Sequence, residues 1–482
     1  MDIARHRTAL ERHDLSRPVK CALADDVLSP GMTFMDYGCG RGGDVRRLRG
    51  EGFECSGWDP VHAPDGERRS CAVVNLGYVV NVIERPGERA EVLRSAWGLA
   101  ERVLVVSARL VDEMPSRSAG CLEDGVVTRL GTFQKFFGQQ ELRAWVDATL
   151  GVRSVAAAPG VFYVFRDEIM RASFAAGRFR RQLAMPRITL TEQLGTRHRD
   201  LLDGLADFLA LRGRLPEEGE LEVEGRLVDA FGSVRRAFCC LRDGSLEGEW
   251  DRVRNERSED LIVYLALTRF EGRPKASDLP LEMRRDVKAF FGSYACACRA
   301  ADERLYSLGV QEDLSAAAAA SPIGKLLPMA FYVHVLSVDA LPLTLRLYEG
   351  CARSTLGSVE GATIVKMRRD EPKVSYLSYP DFDRLPHPEL TESVSLHLQT
   401  FRTRTRRYDP ARNPPVLHRK EAFVAPGYPR RELFERLTVN EEGHGLYADT
   451  SLIGTRDGWQ RVLSDAGLGF RGHKLVKTLK QG

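Results

Sequence analysis

The 482-residue chain has no long apolar run. A helical membrane span needs about 20 consecutive apolar residues, and the opening residues, "MDIARHRTALERHDLSRPVK", carry charge where a secretory signal needs an apolar core. A cytoplasmic protein with no membrane partner is expected. Cysteine pairs with metal-ligand spacing are missing too. The ten cysteines include no C-x-x-C, and the tightest spacings, Cys239-Cys240 and Cys296-x-Cys298, fall in apolar, helix-like sequence. They read as reduced core residues, with neither a disulfide framework nor a metal site. A formal net charge of +3 does not by itself call for a nucleic-acid partner, so local runs must decide. What remains is 43% hydrophobic and 28% charged, as in globular proteins, and the length calls for two or three domains.

Residues 1 to about 30 read as a helical lead-in, with Ser16 as a cap and Pro18 just inside the helix. "MTFMDYG" is a short strand running into glycines, "GDVRRLRGEG" a helix ended by Gly50 and Gly52, and "FECSGWDP" a second strand, which together make a β-α-β unit. "CAVVNLGYVV" and "RVLVVSARL" read as buried parallel strands around a helix near 88–101. "MPSRSAGCLEDG" has loop composition and "TFQKFFGQQELRAWVDATL" is an amphipathic helix; "RSVAAAPGVFYVFRD" is a pair of strands turned at Pro159-Gly160. An α/β sheet that closes on an antiparallel hairpin predicts a class I methyltransferase-like, Rossmann-like fold over residues 1–168. Residues 169–320 read as mainly helical, and 321–482 as a mixed α+β, basic C-terminal domain whose strands include "ATIVKMRR", "KVSYLSYPDF" and one long strand, "SVSLHLQTFRTRTRRY".

The glycines after the first strand fit two cofactors. Gly38, Gly40 and Gly43 match a dinucleotide loop, whereas Gly38, Gly40 and Gly42 match an S-adenosylmethionine loop. Asp36, two residues before the first glycine, separates the readings. A carboxylate there would repel a pyrophosphate and attract the ammonium of a methionine moiety. Asp59, at the end of the second strand, can accept hydrogen bonds from ribose hydroxyls, and Pro60 follows it. S-adenosylmethionine is therefore the expected cofactor. Only about ten residues separate Asp59-Pro60 from the strand at Cys71, too few for the helix and strand that ordinarily supply the adenine contacts. The adenine-side segment is shortened: either Pro60, Val61 and His62 serve the adenine together with another segment, or the site is more open than usual.

"NLGY", Asn75 to Tyr78, stands where amino-directed DNA methyltransferases carry D/N-P-P-Y/F. In that motif the Asn orients the target amino group and the aromatic ring stacks on a flipped base. Asn75 and Tyr78 are thus the candidate catalytic pair, against a plainer reading as strand-end and packing residues. Asn413-Pro414-Pro415 lacks the aromatic residue and reads as a turn. Near the C-terminus, Arg402, Arg404 and Arg406 alternate along "TFRTRTRRY", with Arg419 and Lys420 further on, forming either a phosphate-tracking stripe or a charged edge strand. Pro380-Asp381 begins like a nuclease motif, but no acid-x-Lys follows.

"DYGCGRGGDVRRL", "VVNLGYVVNVIERPGERAEVLR", "GTFQKFF", "APGVFYVFRDE", "PKVSYLSYPDFDRLPHPEL" and "NPPVLHRKEAFVAPGYP" together resemble a methyltransferase family associated with bacterial DNA phosphorothioation gene clusters. The resemblance spans nearly the whole chain. It implies a role connected with DNA phosphorothioation or its restriction partners, with DNA and proteins of that system as partners. Position by position it carries over only the cofactor loop, Asp36, Gly38, Gly40, Gly42 and Asp59. Methylation of RNA or of a small molecule, or cofactor binding without transfer, stay open beside it.

Overall fold

The computed structural model describes residues 3, 5–9, 13–114, 120–181, 199–241 and 249–477. Part of the expected loop "MPSRSAGCLEDG" and two stretches of the expected helical region, 182–198 and 242–248, lie outside the described residues. The chain forms two compact units. One comprises Met1–Asp167, Ser315–Leu341 and Cys351–Gly482; the other comprises Glu168–Leu314 and Pro342–Gly350. The first and last of the three segments expected from sequence therefore share most of one unit.

The first unit opens with a 3-10 turn, Arg5–Thr8, and helix α1, Arg17–Ala24. Ser16 occupies the N-cap position and Pro18 lies in the first turn, but the Ser16 hydroxyl makes no capping bond. Strand β1, Thr33–Tyr37, leads through the glycine loop into helix α2, Gly43–Gly50, and strand β2, Glu54–Trp58. Strand β3, Cys71–Gly77, is followed by helix α3, Pro86–Leu99, and strand β4, Ala100–Ser107. Three short strands, β5 Gly120–Leu122, β6 Gly125–Val127 and β7 Phe133–Gln134, form a separate small sheet. Helix α4, Gln139–Leu150, and the hairpin of β8, Ser154–Ala158, and β9, Val161–Phe165, complete the segment.

The main sheet has the order β2-β1-β3-β4-β9-β8. Strands β1 to β4 are parallel, and β9 runs antiparallel to both β4 and β8. A parallel sheet that reverses direction at β1 and β3 and finishes with one antiparallel strand is the class I methyltransferase fold, here without the strand that would flank β2. Only coil, Asp59 to Ser70, links β2 to β3. That coil folds back on itself through an Asp59–Ala63 bridge. Met35, Val74, Leu76, Leu104, Val106 and Phe162 fill the core on one face of the sheet and are almost wholly inaccessible to solvent. Each contributes about 1.5–3 kcal/mol by leaving water.

A second sheet in this unit has the order β10 Lys325–Leu327, β11 Ala330–His334, β12 Ile364–Arg368, β13 Lys373–Ser378, β14 Glu392–His397, β15 Thr403–Arg407. Every neighbouring pair is antiparallel. The two sheets are tied together: the Ser358 N–H donates to the Ala157 carbonyl at 2.7 Å and the Gln139 side-chain amide to the Thr355 carbonyl at 2.9 Å. The single long strand expected over "SVSLHLQTFRTRTRRY" is instead the hairpin β14–β15. Phe401 takes a left-handed conformation, φ +53°, and the chain reverses between His397 and Arg402.

The other unit is helical, including α5 Glu168–Gly177, α6 Arg199–Arg212, α7 Glu224–Phe231, α8 Val234–Leu241, α9 Glu249–Leu267, α10 Leu281–Phe291 and α11 Tyr294–Ser307. Cys239 and Cys240 lie on α8, and Cys296 and Cys298 on α11. All ten cysteines are free. Cys55, Cys71 and Cys351 are buried, but Cys121, Cys240 and Cys296 are exposed, so the expectation of core placement fails for those three. Cys240 and Cys296 fall on solvent-facing positions of α8 and α11 and Cys121 on the short strand β5, and local apolar composition does not say which face a residue takes. Among the described residues no group of ligands is arranged to hold a metal ion, and no helix is long and apolar enough to cross a membrane.

Candidate active site

The carboxyl ends of β1, β2 and β3 border two neighbouring cavities. The smaller, about 40 Å³, is polar and is lined by Asp36, Asn75, Ser16, Asp44, Arg41 and Arg46 with the glycine loop between them. The larger, about 620 Å³, shares Ser16, Gly38, Cys39 and Gly77 with it and runs past Asp59, Pro60 and Tyr78 to Arg109 and Glu113.

The loop between them is built by glycine. Gly38, Gly40 and Gly42 have φ of +83°, +51° and +68°, values that side-chain-bearing residues rarely adopt. A Cβ on Gly38 would sit 2.4 Å from a Val79 methyl. The Gly38 and Cys39 amides donate to the Trp58 carbonyl, at 2.8 and 3.0 Å, which pins the loop to β2. Cys39 lines both cavities, and burial, with Asp36 and Asp59 nearby, pushes its thiol up to about 12. It is neutral at physiological pH and no nucleophile.

Register places the two candidate acids. Asp36 on β1 pairs with Gly57 on β2 and Asn75 on β3. Its carboxylate, 5% exposed, accepts a 2.8 Å hydrogen bond from Asn75 Nδ2. Asp59 is held by three amides: Gly40 N–H donates to Oδ2 at 3.1 Å, and the Val61 and His62 N–H groups donate to Oδ1 at 3.0 and 2.8 Å. Asp59 thus fixes the loop and the turn after β2 relative to each other, while still lining the larger cleft. Pro60, Val61 and His62 form its exposed rim.

The structure separates the pair Asn75 and Tyr78. Asn75 is buried with Asp36 in the small chamber, where its amide nitrogen is already engaged and its Oδ1 lacks a partner. Tyr78 lines the large cleft instead, half-buried, with φ +60°. That left-handed residue makes a sharp turn where Leu76 and Gly77 stand in place of the motif's two prolines, and its N–H donates to the Ser107 carbonyl at 3.0 Å. Strain of this kind in a non-glycine residue costs of order 1–3 kcal/mol and clusters at functional sites.

Several lining residues carried no signal in the sequence reading. The segment Arg5–Ala9 forms one wall of the cleft. Arg5 is clamped to Glu84, at 2.8 and 2.7 Å, and to Glu88, and a Cβ on Gly40 would lie 3.2 Å from Ala9. Asn81, 1% exposed, donates to Gln134 at 2.9 Å and leaves its own Oδ1 without a partner on the cleft side shared with Tyr78 and Arg109.

The basic residues divide. Arg404 and Arg406 are exposed on one face of the edge strand β15, whereas Arg402 lies in the hairpin turn before it. The Thr405 N–H donates to Asp112 Oδ2 at 3.1 Å, which seats β15 beside the segment that contributes Arg109 and Glu113 to the cleft. Arg419 pairs with Glu442 at 2.7 Å and lies over the Tyr447 ring. Lys420, expected on a phosphate-binding surface, is 2% exposed and bonds the Phe382 and Leu385 carbonyls at 2.6 Å. Aromatic side chains of Phe382 and Phe434 enclose it, so it is out of reach of a phosphate.

No family model and no curated protein matches the chain. Among solved structures, similarity is found to a 1,6-didemethyltoxoflavin-N1-methyltransferase of Burkholderia thailandensis, bound to 1,6-didemethyltoxoflavin and S-adenosylhomocysteine. It has 16% identity and a TM-score of 0.23, over 34% of this chain and 76% of the other. An amino pentose methyltransferase of Micromonospora echinaspora with bound S-adenosylmethionine has 15% identity and a TM-score of 0.25, over 34% and 98%. An O-methyltransferase family protein of Burkholderia thailandensis has 17% identity and a TM-score of 0.20, over 30% and 55%. At such scores the likeness adds nothing to the strand order and the loop, which assign the fold by themselves.

Proposed function

We propose that the protein is an S-adenosylmethionine-dependent methyltransferase. The observation that carries this is the polar chamber behind the glycine loop, where a buried carboxylate at Asp36 faces a space bordered by Arg41 and Arg46. At about 40 Å³ the chamber has room for a charged head group only, so a methionine moiety lying in the adjoining larger cleft would direct its ammonium toward Asp36 and its carboxylate toward the arginines. The adenosine would then lie along the larger cleft, where Asp59 meets the ribose and Pro60, Val61 and His62 border the adenine. Methyl transfer is a direct displacement at the methyl carbon, so catalysis consists chiefly in aligning the acceptor with the sulfonium. Tyr78, Asn81 and Arg109 line the cleft and are the side chains placed to do so.

For the acceptor we infer DNA. Supporting this are the exposed Arg404 and Arg406 on a strand seated beside the Arg109–Glu113 edge of the cleft. The resemblance to proteins of phosphorothioation clusters extends the proposal to phosphorothioated DNA and to proteins of that system. A small-molecule acceptor is a second reading, favoured by the wall that Arg5–Ala9 builds across the cleft. Transfer of labelled methyl to phosphorothioated DNA, plain DNA, bulk RNA and small-molecule extracts distinguishes them, with Asp36→Ala as the control. Binding without label on any acceptor would overturn the enzyme reading. An Arg404→Glu/Arg406→Glu double variant that binds DNA with unchanged salt dependence would overturn the DNA reading, because each lost phosphate contact lowers the slope by about one.

A further inference from the structure

The helical unit contains a cavity of its own, about 200 Å³, roughly the space of seven water molecules at about 30 Å³ each. Its lining is rich in donors and short of free acceptors. Arg180, Arg212 and Arg257 converge on it from α6, α9 and the chain just beyond α5. Three acids also line it, each already paired with arginine, and the exposed one, Glu282, is bound to Arg212. Asp260 serves Arg346 at 2.8 Å and Arg257 at 3.3 Å, and Asp286 bonds Arg214 at 2.5 Å and lies 3.7 Å from Arg212. Arg180 donates to the Leu211 carbonyl at 3.1 Å and has no carboxylate partner among the described residues.

Two further donors in the lining have no acceptor: Nε of Arg257, a residue 7% exposed, and the hydroxyl of Tyr264, 2% exposed. A buried donor without a partner costs about 1–3 kcal/mol, more when charged, so a ligand bringing acceptors would be favoured here. Burial, with Arg257 and Arg212 nearby, lowers the pKa of Arg180, and burial raises that of Tyr264, which keeps the phenol a donor. Leu261, Met283 and Phe290 supply an apolar side to the same cavity.

We propose that this cavity binds a phosphate or phosphomonoester group, held by Arg180, Arg257 and Tyr264, with any organic substituent against Leu261, Met283 and Phe290. Planar guanidinium groups match phosphate oxygens, and the donors from three side chains outnumber what the two oxygens of a carboxylate can engage. The site is independent of the methyltransferase reading.

The test is thermal unfolding and calorimetric titration of the full chain with inorganic phosphate, with phenyl phosphate, and with potassium chloride at matched ionic strength. Saturable binding and a rise in Tm are expected for both phosphates and not for chloride. Tyr264→Phe, which removes only the hydroxyl, and Arg180→Gln should each weaken phosphate binding by about tenfold or more. Tighter binding of phenyl phosphate than of phosphate would assign the site to an ester. An equal Tm rise with chloride, or wild-type phosphate affinity in Tyr264→Phe, would overturn the proposal.

Discussion

Replacing Asn75 by Ala separates two roles that its position in the chain confounds. Were Asn75 to hold the acceptor, the substitution would reduce transfer and leave cofactor affinity alone. In the structure its amide instead donates to Asp36 at 2.8 Å, inside a chamber distinct from the Tyr78 cleft. A hydrogen bond to a buried charged group contributes about 1.5–3 kcal/mol, and Ala leaves that Asp36 oxygen without this donor. If the loss falls mainly on the state that binds cofactor, the dissociation constant rises about 10- to 100-fold. If it falls equally on free and bound protein, it appears as a lower Tm. Calorimetric titration with S-adenosylhomocysteine, paired with thermal unfolding, reads both. Asn75→Asp tightens the test, since a second carboxylate beside Asp36 forces one of them to keep a proton, so Tm should fall as pH rises and that proton is lost. Unchanged affinity and Tm in Asn75→Ala, with transfer abolished, would refute the positioning role and restore Asn75 as an acceptor ligand.

Gly38→Ala should destabilise the protein by at least about 1–2 kcal/mol, from the positive φ alone, and the 2.4 Å approach to Val79 should add to this and close the loop to cofactor; unfolding and titration check it. Arg5→Ala should cost roughly 1–3 kcal/mol, because its hydrogen-bonded clamp to Glu84 and Glu88 is partly buried, and should speed cofactor release in stopped-flow measurements as the wall loses that clamp. Acid should destabilise the C-terminal sheet region. Burial lowers His387 and His418 to about 3 and His334 to about 4, so the unfolded chain takes up protons below 6.5 that the folded chain refuses. Stability present above 6.5 is lost as pH falls, by about 1.4 kcal/mol per pH unit for each imidazole. Burial raises Glu441 to about 7, which opposes one of the three between 4.5 and 7. A denaturant midpoint that stays level or rises between pH 6.5 and 5 would contradict this.

The glycine loop was legible in the sequence because its constraints are local: three positive φ values demand glycine. The closing hairpin was legible for the same reason, through Pro159-Gly160. Asn75 was not, because its partner is decided by the register between β1 and β3, which no spacing along the chain records. The break between β14 and β15 carries neither Gly nor Pro; a phenylalanine takes the left-handed position, so alternation seemed to run on. Lys420 sits in a run of basic residues, and composition cannot show that two carbonyls and two aromatic rings withdraw it from the surface. The Arg5–Ala9 wall depends on pairing across about 80 residues and left no periodic trace.

The bare coil between β2 and β3 bears on chemical biology. With no helix and flanking strand in that connection, the side of the cleft beyond Asp59 is bordered by the exposed coil residues Pro60, Val61 and His62, and the His62 ring lies 3.2 Å from the His6 carbonyl of the Arg5–Ala9 wall. Cofactor analogues enlarged at the base would meet an exposed coil and the Arg5–Ala9 segment there instead of a packed helix and strand. On the proposed methyltransferase reading, tagged cofactors would test how much a rim built of coil can yield.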